Sequence, residues 1–207
     1  MMKRIPLLLA ALLAAPVYAT SVTGSDWVVH YSLPDQVVAE APGEYDIRNA
    51  LLARIDALQS GHSAVLATYT FSAFGTAGRV LSAISNALDR GASVKFVADY
   101  DIVVSSNYNG TSLTALVARA VNPLVLVQAA NPSGIMHNKL GLFDYGTTNR
   151  WVFVASWNFT SGASYQQWNI AIEARNAALF SAYTNELREL LDGRFHYDPA
   201  KSHAHDG

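Results

Sequence analysis

Two segments of this sequence carry side chains whose types and spacing suit phosphate chemistry. Met136-His137-Asn138-Lys139-Leu140-Gly141-Leu142-Phe143-Asp144 is followed, after a short gap, by Ala155-Ser156-Trp157-Asn158-Phe159-Thr160. Along a strand alternate residues share a face. His137 and Lys139 should therefore project together, and Ser156 and Asn158 should do the same from the end of a partner strand. An imidazole, an ammonium, a hydroxyl and an amide would then converge, giving a nucleophile or proton donor, a fixed positive charge and neutral hydrogen-bond donors. A phosphate group uses all of them. Alone, Ser-x-Asn closes many strands and His-x-Lys fits any exposed strand. Their weight comes from lying in register on neighbouring strands.

The elements that must position these residues can be read from apolar periodicity. The two segments form strands over 135–144 and 150–156, and Tyr145-Gly146-Thr147-Thr148-Asn149 between them has a hairpin composition. Upstream, the pattern predicts a helix over 46–59 and a strand over 64–71. A second helix follows over 76–90, closed by Gly91 at its C′ position, and then a second strand over 94–98. A strand, helix and strand of these lengths make a βαβ unit, so its two strands should be parallel. A polar loop over 105–110, a short helix over 113–121 and a strand over 124–128 come next. A strand over 168–174 and a helix over 177–191 close the pattern. The expected fold is α/β, with a mixed, mostly parallel sheet flanked by helices on both faces.

Composition narrows the class. The 207 residues are 51% hydrophobic and 14% charged, which excludes a disordered chain and allows one well-filled core. With no cysteine, the chain has no disulfide, thiol nucleophile or thiolate metal site. Met1-Met2-Lys3-Arg4, the apolar run 5–15 and Val17-Tyr18-Ala19 read as a signal peptide cut before Thr20. The run is too short to span a bilayer, which takes about 20 residues. The expected organisation is a signal peptide over 1–19, an irregular lead over 20–43, a catalytic domain over 44–195 and a flexible tail over 196–207. The expected location is secreted or periplasmic. Without residues 1–19 the chain holds 12 basic and 16 acidic side chains, a net charge of −4. Nucleic-acid domains are usually basic, so this balance argues against a dedicated nucleic-acid binder, although a local basic patch would suffice for one. His203 and His205 lack a third ligand and read as part of a solvated terminus, while His30, His62 and His196 read as structural. Trp157, between Ser156 and Asn158, is placed at the substrate mouth.

His-x-Lys-x4-Asp followed by Gly-Ser-x-Asn resembles the signature of the phospholipase D superfamily. His137, Lys139 and Asp144 match its spacing, and the upstream V-L-A-T-Y-T-F … L-D-R-G-A-S-V-K-F-V-A-D is similar too, so the likeness covers about residues 47–191. Three positions depart from the pattern. Ala155 replaces the first glycine, ten residues separate Asp144 from Ala155, and Gln167 stands where the family often has a glutamate that holds the histidine.

The resemblance implies a two-step phosphodiester exchange. One histidine attacks phosphorus and a second protonates the leaving oxygen, with no metal and no other cofactor. It implies His137, Lys139 and Asp144 as catalytic residues, Asp144 holding structure and charge balance, Ser156 and Asn158 as substrate-binding, and Gln167 as orienting the histidine. A single motif supplies half a site, so it implies a homodimer sharing one active site. The expected substrate is a phospholipid head group, with transient contact to the membrane surface. A secreted or periplasmic nuclease acting on nucleic acid, and a non-catalytic phosphate-binding module, stay open as alternatives.

Overall fold

Short runs of β-branched and aromatic residues build one sheet across the protein. The computed structural model describes residues 21–32, 34, 45–71, 76–99, 110–128, 135–146 and 148–195. Eight strands lie among them: β1 (Ser21–Thr23), β2 (Trp27–Ser32), β3 (Ser63–Thr68), β4 (Ser93–Ala98), β5 (Val125–Gln128), β6 (Lys139–Asp144), β7 (Arg150–Ala155) and β8 (Asn169–Ala174). Their order across the sheet is β1-β2-β8-β7-β6-β3-β4-β5. The described helices are α1 (Asp46–Asp56), α2 (Thr76–Asp89), α3 (Gly110–Val117), α4 (Ser161–Tyr165) and α5 (Ala177–Leu191).

The α/β class and the mixed sheet between helical layers stand as expected. One face carries Leu66, Phe96, Phe143 and Phe153 against Leu51 and Ile55 of α1 and Val80 and Ile84 of α2. The other carries Ala67, Val97, Leu142 and Val152 against Leu187 and Leu190 of α5. The βαβ unit is also as expected, with Leu66 of β3 opposite Phe96 of β4 in a parallel pair. Gly91, at φ +86°, ends α2 in the left-handed conformation that glycine adopts without steric cost.

Two expectations are corrected. The sheet is not mostly parallel: β3–β4 and β4–β5 are parallel, and the other five pairings are antiparallel. The crossovers from β3 to β4 and from β4 to β5 carry α2 and α3 and return the chain in the same direction, whereas the direct β1–β2 and β6–β7 turns reverse it. The lead is not irregular over 21–32. Trp27-Val28-Val29-His30-Tyr31 is β-favouring, and β2 pairs along its length with β8, from Trp27 opposite Ala174 to Ser32 opposite Asn169. Gly24 opens the turn between β1 and β2, its N–H donating to the Trp27 carbonyl at 2.8 Å. The signal peptide, residues 105–109 of the expected polar loop and the tail over 196–207 lie outside the described residues, while Gly110 of that loop opens α3.

The site-forming strand β6 packs tightly at Gly141. A Cβ there would come within 2.9 Å of the Phe143 ring and 3.0 Å of Leu66. Glycine lets β6 sit against β3, which fixes Lys139 opposite Thr68.

Candidate active site

The site forms at one end of β3, β6 and β7. The strand over 135–144 begins only at Lys139, so His137 lies in the segment leading into β6. That segment is tethered by Asp99, just past β4, whose fully buried Oδ2 accepts a hydrogen bond from the Met136 N–H at 2.7 Å. His137 itself is exposed. Its ring rests against Tyr69, which follows β3, with centroids 4.9 Å apart and planes tilted by 54°. No hydrogen bond to the imidazole occurs among the described residues.

Lys139 is the unusual group. It is only 5% exposed, and its Nζ donates to the His137 carbonyl at 2.7 Å. The ammonium also lies 5.4 Å from the Tyr69 ring centroid. No carboxylate pairs with it among the described residues. Burial pushes its pKa below the ordinary lysine value of 10.5. A desolvated cation without a counter-ion favours any anion that reaches it. Lys139 thus reaches the His137 main chain, and both side chains lie against the Tyr69 ring, although only Lys139 is on the strand.

Asn158 joins them. Phe159 forms a parallel bridge with Phe71, and its N–H donates to the Thr70 carbonyl at 3.1 Å, so Asn158 lies beside the end of β3. Its Oδ1 is buried without a hydrogen-bond partner among the described residues. Ser156 is committed elsewhere. Its hydroxyl donates to Asn169 Oδ1 at 2.9 Å and accepts from the Ile170 N–H at 3.1 Å, which locks the ends of β7 and β8. Asn169, which the sequence reading passed over, completes the lock by donating from Nδ2 to the Ala163 carbonyl at 2.8 Å.

Three assignments change. Asp144 is at the opposite end of β6, about 16 Å from Lys139 at 3.3 Å per residue. Five residues is an odd separation, so it also faces the other side of the sheet. There it anchors the β6–β7 hairpin, accepting from Gly146 N–H and from Arg150 Nε, both at 2.9 Å. Gln167 is exposed, and only its carbonyl takes part in a described contact, from Asn169 Nδ2 at 3.5 Å. It does not orient His137. Trp157 is fully buried, donating from Nε1 to Ser164 Oγ at 3.0 Å, and does not line a mouth.

A second polar cluster lies on the same sheet face, toward the far end. The buried Glu173 carboxylate takes two bonds from Arg54, at 3.1 and 2.9 Å, and His30 Nε2 approaches to 3.5 Å. The Arg54 guanidinium stacks 3.6 Å above the Trp151 ring. Burial, the largest single influence, pushes Glu173 up. The His30 and Arg54 partners together outweigh it and hold the carboxyl below 4.5. His62 is structural as expected, its Nδ1 accepting from Gln59 N–H.

Comparison with known proteins agrees with this fold. The family described as "Cardiolipin synthase, PLD-like domain" matches residues 51–191. Among curated proteins none matches the sequence. The fold is similar to that of NucT from Helicobacter pylori, at 16% identity and a TM-score of 0.60, over 81% of this chain and 98% of that one. The phospholipase D family member Nuc from Salmonella typhimurium superposes with a TM-score of 0.58 at 23% identity, over 81% and 95% of the two chains. Phosphatidylserine synthase from Haemophilus influenzae gives 0.54 at 10% identity, over 83% of this chain and 40% of that one.

Proposed function

The chain belongs to the phospholipase D-like family, and from that premise we propose that it hydrolyses phosphodiesters through a phosphohistidine on His137, with phospholipid head groups as substrate. The observation that carries the reading is the pairing of exposed His137 with the buried, unpaired ammonium of Lys139. In the first step a His137 nitrogen attacks phosphorus. The bond to the leaving oxygen breaks, and that oxygen takes a proton from a second imidazole. In the second step water attacks phosphorus, the P–N bond breaks, and the water's proton passes to the second imidazole. Lys139 and Asn158 hold the phosphoryl oxygens. Lys139 supplies the charge, so the mechanism calls for no metal.

The second imidazole is His137 of a second copy. Supporting this, the part of the α5 face that lies over β1, β2 and β8 is apolar and is left bare by α5 among the described residues. Val22, Val29 and Ile172 lie in one cross-strand row, and Val22 and Ile172 are exposed. Ile170 extends the patch toward the site end and Trp27 toward the opposite end. Exposed patches of this kind mark interfaces, and a two-fold axis there would bring the two site ends together.

The lipid substrate is supported by the family's description and by the apolar rim. Ile135, two residues before His137, is 63% exposed, and Trp168, at the site end of β8, is 75% exposed. The net charge of −4 without residues 1–19 points away from a polyanion. Export by the N-terminal segment belongs to the same proposal. No described helix is long and apolar enough to cross a membrane.

The test is a substrate panel run in excess EDTA on the wild type and His137→Asn. Phosphatidylcholine vesicles should be hydrolysed by the wild type alone. Turnover of single- or double-stranded DNA instead would make the chain a nuclease, and no turnover of even bis-nitrophenyl phosphate would make it a binding module. Light scattering with activity on serial dilution tests the pairing, since a fully active monomer would reject the shared site.

A further inference from the structure

We infer that Tyr69 is the positioning residue of this site, fixing the plane of the His137 ring. The inference rests on the proposed role of His137 as the reacting nitrogen. A nucleophilic imidazole needs its ring plane set, and a hydrogen-bonded carboxylate usually sets it. Here Gln167 does not reach the ring, and no described side chain hydrogen-bonds to it. What touches it is the Tyr69 ring, at 4.9 Å between centroids.

The placement of Tyr69 follows from the fold. It is the first residue after β3, whose last residue, Thr68, lies opposite Lys139. The main chain on both sides is pinned: Thr68 Oγ1 donates to the Thr70 carbonyl at 3.2 Å, and that carbonyl also accepts from Phe159 N–H. The half-buried ring is therefore held against both side chains, with Lys139 Nζ 5.4 Å from its centroid. The face of an aromatic ring attracts cations by its quadrupole. One ring thus holds the Lys139 ammonium and sets the plane of the His137 imidazole, the second a task that a carboxylate usually performs.

The experiment uses the full chain with Tyr69→Leu and Tyr69→Phe, reading the His137 ring proton shifts by NMR alongside kcat and KM. Tyr69→Leu should remove the ring-current shift of the His137 ring protons that the Tyr69 contact produces. It should cut kcat about tenfold through loss of ring orientation, with KM changed less than about threefold. Tyr69→Phe should restore both, because the ring face and not the hydroxyl does the work. Unchanged His137 ring shifts in Tyr69→Leu overturn the inference, and so does a Tyr69→Phe variant as impaired as Tyr69→Leu. If His137→Asn retains full turnover while the Tyr69→Leu ring shifts change as expected, the positioning stands and the catalytic role of His137 falls.

Discussion

Lys139 and Glu173 are buried charges on one face of the same sheet, and their surroundings follow opposite rules. Glu173 takes a bond from Arg54 on each carboxylate oxygen, with His30 Nε2 3.5 Å away. Lys139 has lost its water to burial and, among the described residues, has gained a neighbour's carbonyl and the Tyr69 ring but no carboxylate. The first arrangement resolves its electrostatics internally and ties α1 to β2 and β8. The second leaves a positive potential at a strand end, directed at whatever anion arrives. Charge that is neutralised within the chain serves the fold, and charge that is left over serves a ligand.

The largest effect that would break this contrast is expected at Lys139. Lys139→Met should lower diester turnover by at least about a hundredfold, through loss of charge stabilisation. Its stability should stay level or rise by about 1 kcal/mol, because an uncompensated buried cation is gone. Kinetics and urea midpoints on the same preparation check both, and a large loss of stability would put Lys139 in the structural class. Glu173→Ala should do the reverse. Leaving Arg54 unpaired should cost about 2–3 kcal/mol in urea unfolding, with kcat of the folded protein within about twofold of wild type.

The pH dependence sharpens the same comparison. Glu173 titrates below 4.5 in the fold, so its contribution is present above that pH and is lost as pH falls through its lowered value. Glu173→Gln should flatten this acid limb. Lys139 titrates below 10.5, so its penalty is full at neutral pH and is relieved as pH rises toward 10.5. Lys139→Met should lack that alkaline gain in stability. The smallest effect is expected at Asp144→Asn, which weakens a half-exposed pair with Arg150. Stability should fall by less than about 1 kcal/mol and turnover should not change; a loss of turnover would return Asp144 to the site.

How much of this was legible in the sequence depends on the range over which each feature is determined. The helix over 177–191 has the bounds its periodicity indicated, because Asn176 caps it locally by accepting from Ala178 and Leu179 N–H. His137 and Lys139 were legible because two residues of spacing decide a shared environment. Asp144 was misplaced although the same rule, applied to an odd separation, would have put it on the other face. The strand β2 was missed because its partner lies in β8, and no window of sequence shows that pairing. Tyr69 and Asp99 carry no local signal at all. They become part of the site only because β3 and β4 end beside the segment that leads into β6.

The β2–β8 pairing has a consequence for how the protein is made. Asn169 N–H bonds to Ser32 Oγ across 137 residues of chain, so one of the first strands synthesised waits for the last. Contacts this distant are slow to form, since a long loop must close before they reward it. During synthesis Trp27, Val29 and Tyr31 are exposed before residues 169–174 leave the ribosome. A chain stalled or cut short of β8 would carry an unpaired apolar strand, open to adding onto another chain. Completion of the sheet therefore acts as a check on completion of the polypeptide.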